Sequence, residues 1–324
     1  MTEGVESMRI VFMGTPEFAV PSLEALIGAG YEVVGAVTQP DRPVGRKGKL
    51  TPPPVKVCAQ QHGIPVLQFE RIRRPEGREA LEALKPDLFV TAAFGQILSA
   101  KVLAIPKLGT INVHASLLPE YRGSAPINWC LINGETRTGV TTMMTDIGID
   151  TGDMLLRDEV EIGPDENAEE LTERLSRVGA QTLLRTLKAL ENGTLTRTPQ
   201  DESKSSYQPM LEKTLGCIDW NKPAQSIHNL VRGVNPWPGA YTQMESGVLK
   251  VWKTALTEQK TDASAGTIVK ANGKEGLFVA CGEGVLQIVE MQAPGSKRMN
   301  ARDYLRGKPM QEGAVLGENH AESE

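Results

Sequence analysis

Through the first 145 residues, short β-rich runs alternate with helical stretches, and this limits the chain more than any other feature. Residues 9–13 (RIVFM) form an apolar run that ends at Gly14. The stretch TPEFAVPSLEALIGAG follows, with Phe18, Leu23 and Leu26 at helical spacing and Gly28 and Gly30 as stops. Residues 32–38 (EVVGAVT) read as a second buried strand, 65–67 as a short one and 86–93 (PDLFVTAA) as a long one. Residues 109–114 (GTINVH) and 139–145 (GVTTMMT) add two more, and helical patterns cover 55–61 and 76–84. Strands that take turns with helices pack as an α/β fold with a mostly parallel, doubly wound sheet.

The pattern changes further on. Residues 167–190 form a periodic helix with Leu171, Leu175, Val178, Leu183, Leu187 and Leu190 among its apolar positions, closed by Asn192-Gly193. Residues 194–213 are polar and without period, as a linker is. Beyond them come a helix over 224–234 and the short strand-like runs YTQME, VLKVWKTA, GTIVKAN, GLFVAC and VLQIVEM. Their spacing, broken by Gly, Asn and Ser, predicts a small β-barrel or sandwich. At 324 residues the chain is long for one domain and short for three. The expected division is 1–193, a linker over 194–213, and 214–324 with an acidic, disordered tail from 313.

Composition excludes several classes. Aromatic residues make up 5%, too few for a wall of stacking platforms, and the net charge of −5 rules out a uniformly basic nucleic-acid coat. The four cysteines (Cys58, Cys130, Cys217, Cys281) form no CxxC or CxxH pair, so no metal site is expected and a reduced, cytoplasmic setting is. No stretch approaches 18 apolar residues, and the N-terminal MTEGVES lacks the form of a signal peptide, so no membrane partner is expected. Charge is nevertheless uneven. Residues 39–56 (QPDRPVGRKGKLTPPPVK) carry a net +4, and so do residues 214–311. Two basic regions on an acidic protein can form one face for a polyanion; a solvated loop and an ordinary mixed surface account for the same charges. The five prolines and two glycines of the loop argue against regular structure there.

The densest polar cluster is GTINVHASLLPEYRGSAP, residues 109–126. Asn112 and His114 lie two apart at the end of a strand, so their side chains leave on one face, at the carboxyl end where open α/β sheets bind ligands. Downstream, TDIGIDTGDM supplies Asp146, Asp150 and Asp153, one of which can reach the imidazole. Asn, His and Asp together suit acyl transfer to an amine: an amide N–H and an imidazolium stabilise the oxyanion, and a carboxylate holds the His or relays the amine proton. Neither Ser116 nor Cys130 sits in a nucleophile elbow such as G-x-S-x-G. A hydrogen-bonded structural histidine is the plain alternative. After the first strand GTPEFA puts Pro16 where a dinucleotide fold needs its second glycine, which disfavours a nicotinamide enzyme.

At these residues the sequence resembles the methionyl-tRNA formyltransferase family. The runs MRIVFMGTPEFA, TQPDRPVGRKGKLTPPPVK, NVHASLLPEYRGSAPINW, DIGIDTGDM, IDWN (218–221) and NPWPGA (235–240) carry the resemblance over nearly the whole chain from Met8. It implies a Rossmann-like catalytic domain, a linker and a C-terminal barrel of oligonucleotide-binding (OB) type. It also implies transfer of formyl from 10-formyltetrahydrofolate to the α-amino group of methionyl-initiator tRNA, by direct attack through a tetrahedral intermediate. The family's catalytic set falls on Asn112, His114 and Asp150, and its folate-binding residues on Ser116, Leu117, Leu118 and Pro119, with backbone near Phe94 and Gly95. Its tRNA-gripping loop falls on Arg42, Arg46, Lys47 and Lys49. The chain is expected to act as a monomer. Two other functions share these features: formyl transfer to an amino-sugar nucleotide or glycinamide ribonucleotide, and RNA binding by a transferase core without activity.

Overall fold

A computed structural model describes residues 7–45 and 48–317. The chain divides into two compact units, each discontinuous in sequence. One holds the described residues up to Gly123, with Arg137–Val160 and Thr172–Tyr207. The other holds Ser124–Thr136, Glu161–Leu171 and the described residues from Gln208 onward.

The first unit is built on a seven-stranded sheet. Its strands in chain order are β1 (Arg9–Gly14), β2 (Glu32–Thr38), β3 (Val66–Gln68), β4 (Leu88–Ala92), β5 (Thr110–His114), β6 (Arg137–Met144) and β7 (Met154–Glu161). Across the sheet they lie β7-β6-β5-β4-β1-β2-β3. Strands β1 to β5 pair in parallel, whereas β6 joins β5 antiparallel, so the sheet is mostly parallel as the alternation predicts. Between β1 and β4 the order of winding reverses. A crevice opens at such a reversal, beyond the carboxyl ends of the strands.

Helices α1 (Val20–Gly28), α2 (Pro54–Gln61), α3 (Pro75–Ala83) and the single turn α4 (Ala100–Leu103) belong to this unit. Strand β4 is buried along its length, and β1 from Ile10 onward, which is why both read as unbroken apolar runs. Val11, Met13, Val37 and Phe89 pack with Ile72, Leu81, Leu98 and Val102. Gly14 closes β1 because nothing larger fits: a Cβ there would stand 2.7 Å from the Ala19 Cβ and 2.9 Å from the Ala92 carbonyl oxygen.

Several elements differ from the sequence expectation. Strand β7 was masked by its charges: it alternates half-buried and exposed residues at the sheet edge, with Arg157, Glu159 and Glu161 outward. The helix α5 (Pro126–Ile132) is only seven residues long, too short for a periodic signal. The basic loop is not irregular throughout. Arg42–Val44 pairs antiparallel with Lys49–Thr51, and Pro43 is tolerated because a two-stranded ribbon leaves an edge on either side. Within 194–213, Thr198 exchanges two backbone hydrogen bonds with Met154, Glu202–Lys204 forms a 3₁₀ turn, and Tyr207–Gln208 pairs with Arg122–Gly123. Polar residues that bond through their backbones leave no apolar pattern to read.

The long helix α6 (Ala168–Glu191) matches its predicted range to within a residue. The second unit carries α7 (Ala224–Val234), then β8 (Ala240–Met244), β9 (Gly247–Leu256), β10 (Ile268–Asn272), β11 (Gly276–Ala280), β12 (Val285–Gln292), β13 (Met299–Asn300) and α8 (Ala301–Gly307). The strands lie β8-β9-β12-β11-β10, with β13 on β12, and every pair is antiparallel. Ile227, Val231 and Val234 of α7 fill one core with Leu249, Val251, Leu277, Leu286 and Ile288, a small barrel-like arrangement. Of the tail expected to be disordered from 313, residues 313–317 are ordered. Gly313 donates to the Ile268 carbonyl, Leu316 is buried, and Gly317 donates to the Gln243 carbonyl. Residues 318–324 lie outside the described residues.

Candidate active site

The loops that leave the carboxyl ends of β1, β2 and β4 are tied together at the winding reversal. Thr15 Oγ1 donates to the Phe94 carbonyl at 3.1 Å and accepts from the Gln39 backbone N–H at 3.2 Å. Gln39 Nε2 donates to the Gly95 carbonyl at 2.9 Å. The Phe94 ring is buried with Val11 and Met13, so it serves the core, while Gly95 is exposed with a φ of +77° that suits glycine.

One strand further, Asn112 and His114 project from the end of β5. Thr91 Oγ1 donates to Asn112 Oδ1 at 2.8 Å, which turns the amide N–H₂ outward, without a protein partner among the described residues. His114 is 6% exposed, and its Nε2 lies 2.9 Å from the Tyr121 carbonyl. A carbonyl only accepts, so Nε2 carries a proton and Nδ1 is the nitrogen that faces Asp150. The Nδ1 to Asp150 Oδ2 distance is 3.7 Å, longer than a direct hydrogen bond and short enough for a small group to be engaged by both.

Spacing alone left three carboxylates open, and the structure separates two of them, Asp146 and Asp150. Asp146 Oδ1 accepts from Gly148 N–H and Thr151 Oγ1 and so shapes its own loop. Asp150 is the one at His114, held by the Gly123 N–H donating to Oδ2 at 2.9 Å. Both Asp150 (φ +54°) and Tyr121 (φ +58°) sit in the left-handed region, at a cost of about 1–3 kcal/mol each, so the fold bears strain on both sides of His114.

The loop after β5 is pinned from β6. Thr141 Oγ1 donates to the Ser116 carbonyl and accepts from the Leu118 N–H. Ser116 Oγ donates to the Glu120 carbonyl, and Leu118 is buried with Met143 and Met154. Of the four residues matched to folate binding, Leu117 and Pro119 are therefore the half-exposed pair.

Three further residues surround the site. Arg122 is buried, yet its guanidinium donates to both carboxylate oxygens of Glu202, at 3.0 and 2.7 Å, and through Nε to Gln200 Oε1 at 3.0 Å. The hydrogen bond to Glu202 raises Arg122 above its ordinary pKa, and Arg122 in turn holds Glu202 below the usual carboxylate range. Arg122 lies inside the YRGSAP run and was legible as part of it. Gln200 and Glu202, in a polar stretch with no period, carried no sequence signal.

The basic hairpin is of another kind. Arg42 pairs with Glu70 at 2.7 Å, both side chains more than half exposed, and Lys49 is exposed; Arg46 and Lys47 lie outside the described residues. Val44 and Leu50 are 58% and 61% exposed. Lys56, by contrast, is turned inward onto Asp41 and Gln68, and those hydrogen bonds, Gln68 first, hold Asp41 below its ordinary pKa. Among the described residues no group of three or more His, Cys, Asp or Glu is placed to hold a metal ion, and no helix is long and apolar enough to cross a membrane.

A doubly wound sheet with an Asn, a His and an Asp gathered beyond its strand ends defines a group-transfer enzyme. More narrowly, the chain belongs to the formyl transferase family: the model described as "Formyl transferase" matches residues 8–187, and "Formyl transferase, C-terminal domain" matches 210–309. Methionyl-tRNA formyltransferase of Geobacter metallireducens is 53% identical over 310 residues, 96% of this chain and 99% of that protein. The protein of the same name from Ruminiclostridium cellulolyticum is 53% identical over 312 residues, 96% of this chain and all of that one. Among solved structures, the sugar 3N-formyl transferase WlaRD superposes with a TM-score of 0.65 at 18% identity, over 90% of this chain and 98% of that one. HypX from Aquifex aeolicus, in complex with tetrahydrofolic acid, superposes at 0.61 with 18% identity, over 92% of this chain and 47% of that one. At such identities these structures share the fold.

Proposed function

We propose that this chain transfers the formyl group of 10-formyltetrahydrofolate to the free α-amino group of methionine esterified to initiator tRNA. The observation that carries it is the end-to-end match, at 53% identity, with relatives named methionyl-tRNA formyltransferase. The geometry supports direct transfer. Ser116 Oγ and the buried Cys130 thiol both donate to backbone carbonyls, those of Glu120 and Ile127. Thr91 leaves the Asn112 N–H₂ available as a donor, and that group stabilises the charge that develops on the formyl oxygen. His114 Nδ1 and Asp150 receive the amine proton as the new C–N bond forms, and the N10–C bond breaks with N10 taking up a proton.

The donor supplies an activated formyl group when bound. Leu117, Pro119 and the exposed backbone of Gly95 are the groups that would hold it, with Ser116, Leu118 and Phe94 fixing them from behind. Arg42, Arg46, Lys47 and Lys49 grip the tRNA, with help from the basic stretch 214–311. The enzyme works in the cytoplasm, in keeping with four cysteines that form no CxxC or CxxH motif.

The test is formyl transfer from 10-formyltetrahydrofolate to methionyl-initiator tRNA, beside methionyl-elongator tRNA and an amino-sugar nucleotide. Formylation of the initiator alone is expected. Formylation of the sugar with tRNA untouched would keep the chemistry and overturn the role of the basic hairpin.

A further inference from the structure

Asp150 is held at two points. Its carboxylate accepts from the Gly123 N–H, and its backbone carbonyl accepts from Gln200 Nε2 at 2.8 Å. The same Nε2 donates to the Gly152 carbonyl at 2.8 Å, so one amide spans the turn that carries Asp150. Gln200 has no choice of orientation, because Arg122 Nε donates to its oxygen and leaves only the N–H₂ for the turn. Arg122 is fixed in its place by both oxygens of Glu202. Its neighbours in the chain serve the site directly, Tyr121 through the carbonyl on His114 and Gly123 through the N–H on Asp150. Ser206 completes the grip: its Oγ accepts from Tyr121 N–H and its carbonyl from Arg122 N–H.

We propose that Gln200, oriented by Arg122 and Glu202, is a positioning residue that holds Asp150 against His114, so that residues 200–206 form the outer wall of the active site. The proposal rests on the assignment of Asp150 and His114 to the transfer step. A left-handed aspartate persists only where its surroundings over-determine it, and these hydrogen bonds are what over-determine it here. None of Gln200, Arg122 and Glu202 touches substrate in the mechanism above. Their effect passes through Asp150, which makes it separable from a contribution to folding alone.

The test is a double-mutant cycle on the full chain, with kcat and both KM values read from formyl transfer. Gln200→Leu keeps the bulk and removes both donors. It is expected to lower kcat about 10- to 100-fold, the scale of a displaced catalytic group, with each KM within about twofold. In an Asp150→Asn background the same substitution is expected to cost less than about twofold, since the group it positions is already disabled. Equal losses in both backgrounds, or a loss confined to KM, would overturn the positioning role and leave the catalytic assignment standing. An Asp150→Asn enzyme with unchanged kcat would overturn both. Should Gln200→Leu fail to fold, Glu202→Gln serves in its place, as Glu202 is 71% exposed in its side chain. It loosens Arg122 and is expected to lower kcat about threefold in the parent and not at all beside Asp150→Asn; equal losses again overturn the role.

Discussion

The carboxyl end of β5 and the hairpin formed by Arg42–Val44 and Lys49–Thr51 lie in one unit and are organised in opposite ways. Around His114 the groups are buried or half-buried and are oriented by other parts of the protein: the ring by the Tyr121 carbonyl, Asn112 by Thr91, and Asp150 by Gly123 and Gln200. The hairpin exposes both its cations and its apolar side chains, and the partner Arg42 does have is a surface carboxylate. Such a pair contributes at most about 1 kcal/mol and exchanges readily for a phosphate. A reacting centre needs its dipoles fixed before charge develops, whereas a polyanion grip needs charges that are cheap to redirect. The two regions should therefore fail in different measurements.

The largest effect is expected at the buried end. His114→Ala should lower kcat about 10²- to 10³-fold while tRNA affinity, read by filter binding, stays within about twofold. A parallel fall in affinity would break the comparison. Asn112→Ala should follow at about 10²-fold in kcat, again without change in tRNA binding. The hairpin should show the mirror image. Arg42→Ala with Lys49→Ala is expected to weaken tRNA binding about tenfold and to flatten its salt dependence by roughly 0.7–0.9 log units per log salt for each phosphate no longer neutralised, with folate binding unaltered. Normal tRNA binding by that double variant would remove the hairpin from the interface. The smallest effect is on stability. Arg122 keeps Glu202 below its ordinary pKa, so the pair stabilises the fold above the ordinary carboxylate range and that stabilisation disappears as pH falls through the lowered value. Urea unfolding should show Glu202→Gln less stable than the parent at neutral pH and equal to it in acid.

What could be read in advance followed from burial and spacing. Strands β1, β2 and β4 were plain because a parallel strand covered on both faces is an unbroken apolar run. Asn112 and His114 were plain because two residues apart on a strand means one face. Strand β7 was hidden by edge charges, α5 by its length, and the hairpin by prolines that its exposed edges tolerate. Spacing could not choose Asp150 over Asp146 or Asp153; the family resemblance chose it, and in the structure its Oδ2 lies 3.7 Å from His114 Nδ1. Gln200 and Glu202 lie some 50 and 80 residues from the groups they bond, and only the folded chain shows that.

Tyr121, Arg122 and Gly123 present a carbonyl, a side chain and an N–H in turn, to His114, to Gln200 and Glu202, and to Asp150. Left-handed backbone at Tyr121 (φ +58°) and Gly123 (φ +89°) sets these directions, so a slip of one position sends each of the three the wrong way. The loop from Ser116 to Glu120 is thus fixed in count. In a library of this enzyme, substitutions at the exposed Glu120, which serves the loop through its backbone carbonyl, should survive selection far more often than single-residue insertions or deletions beside it.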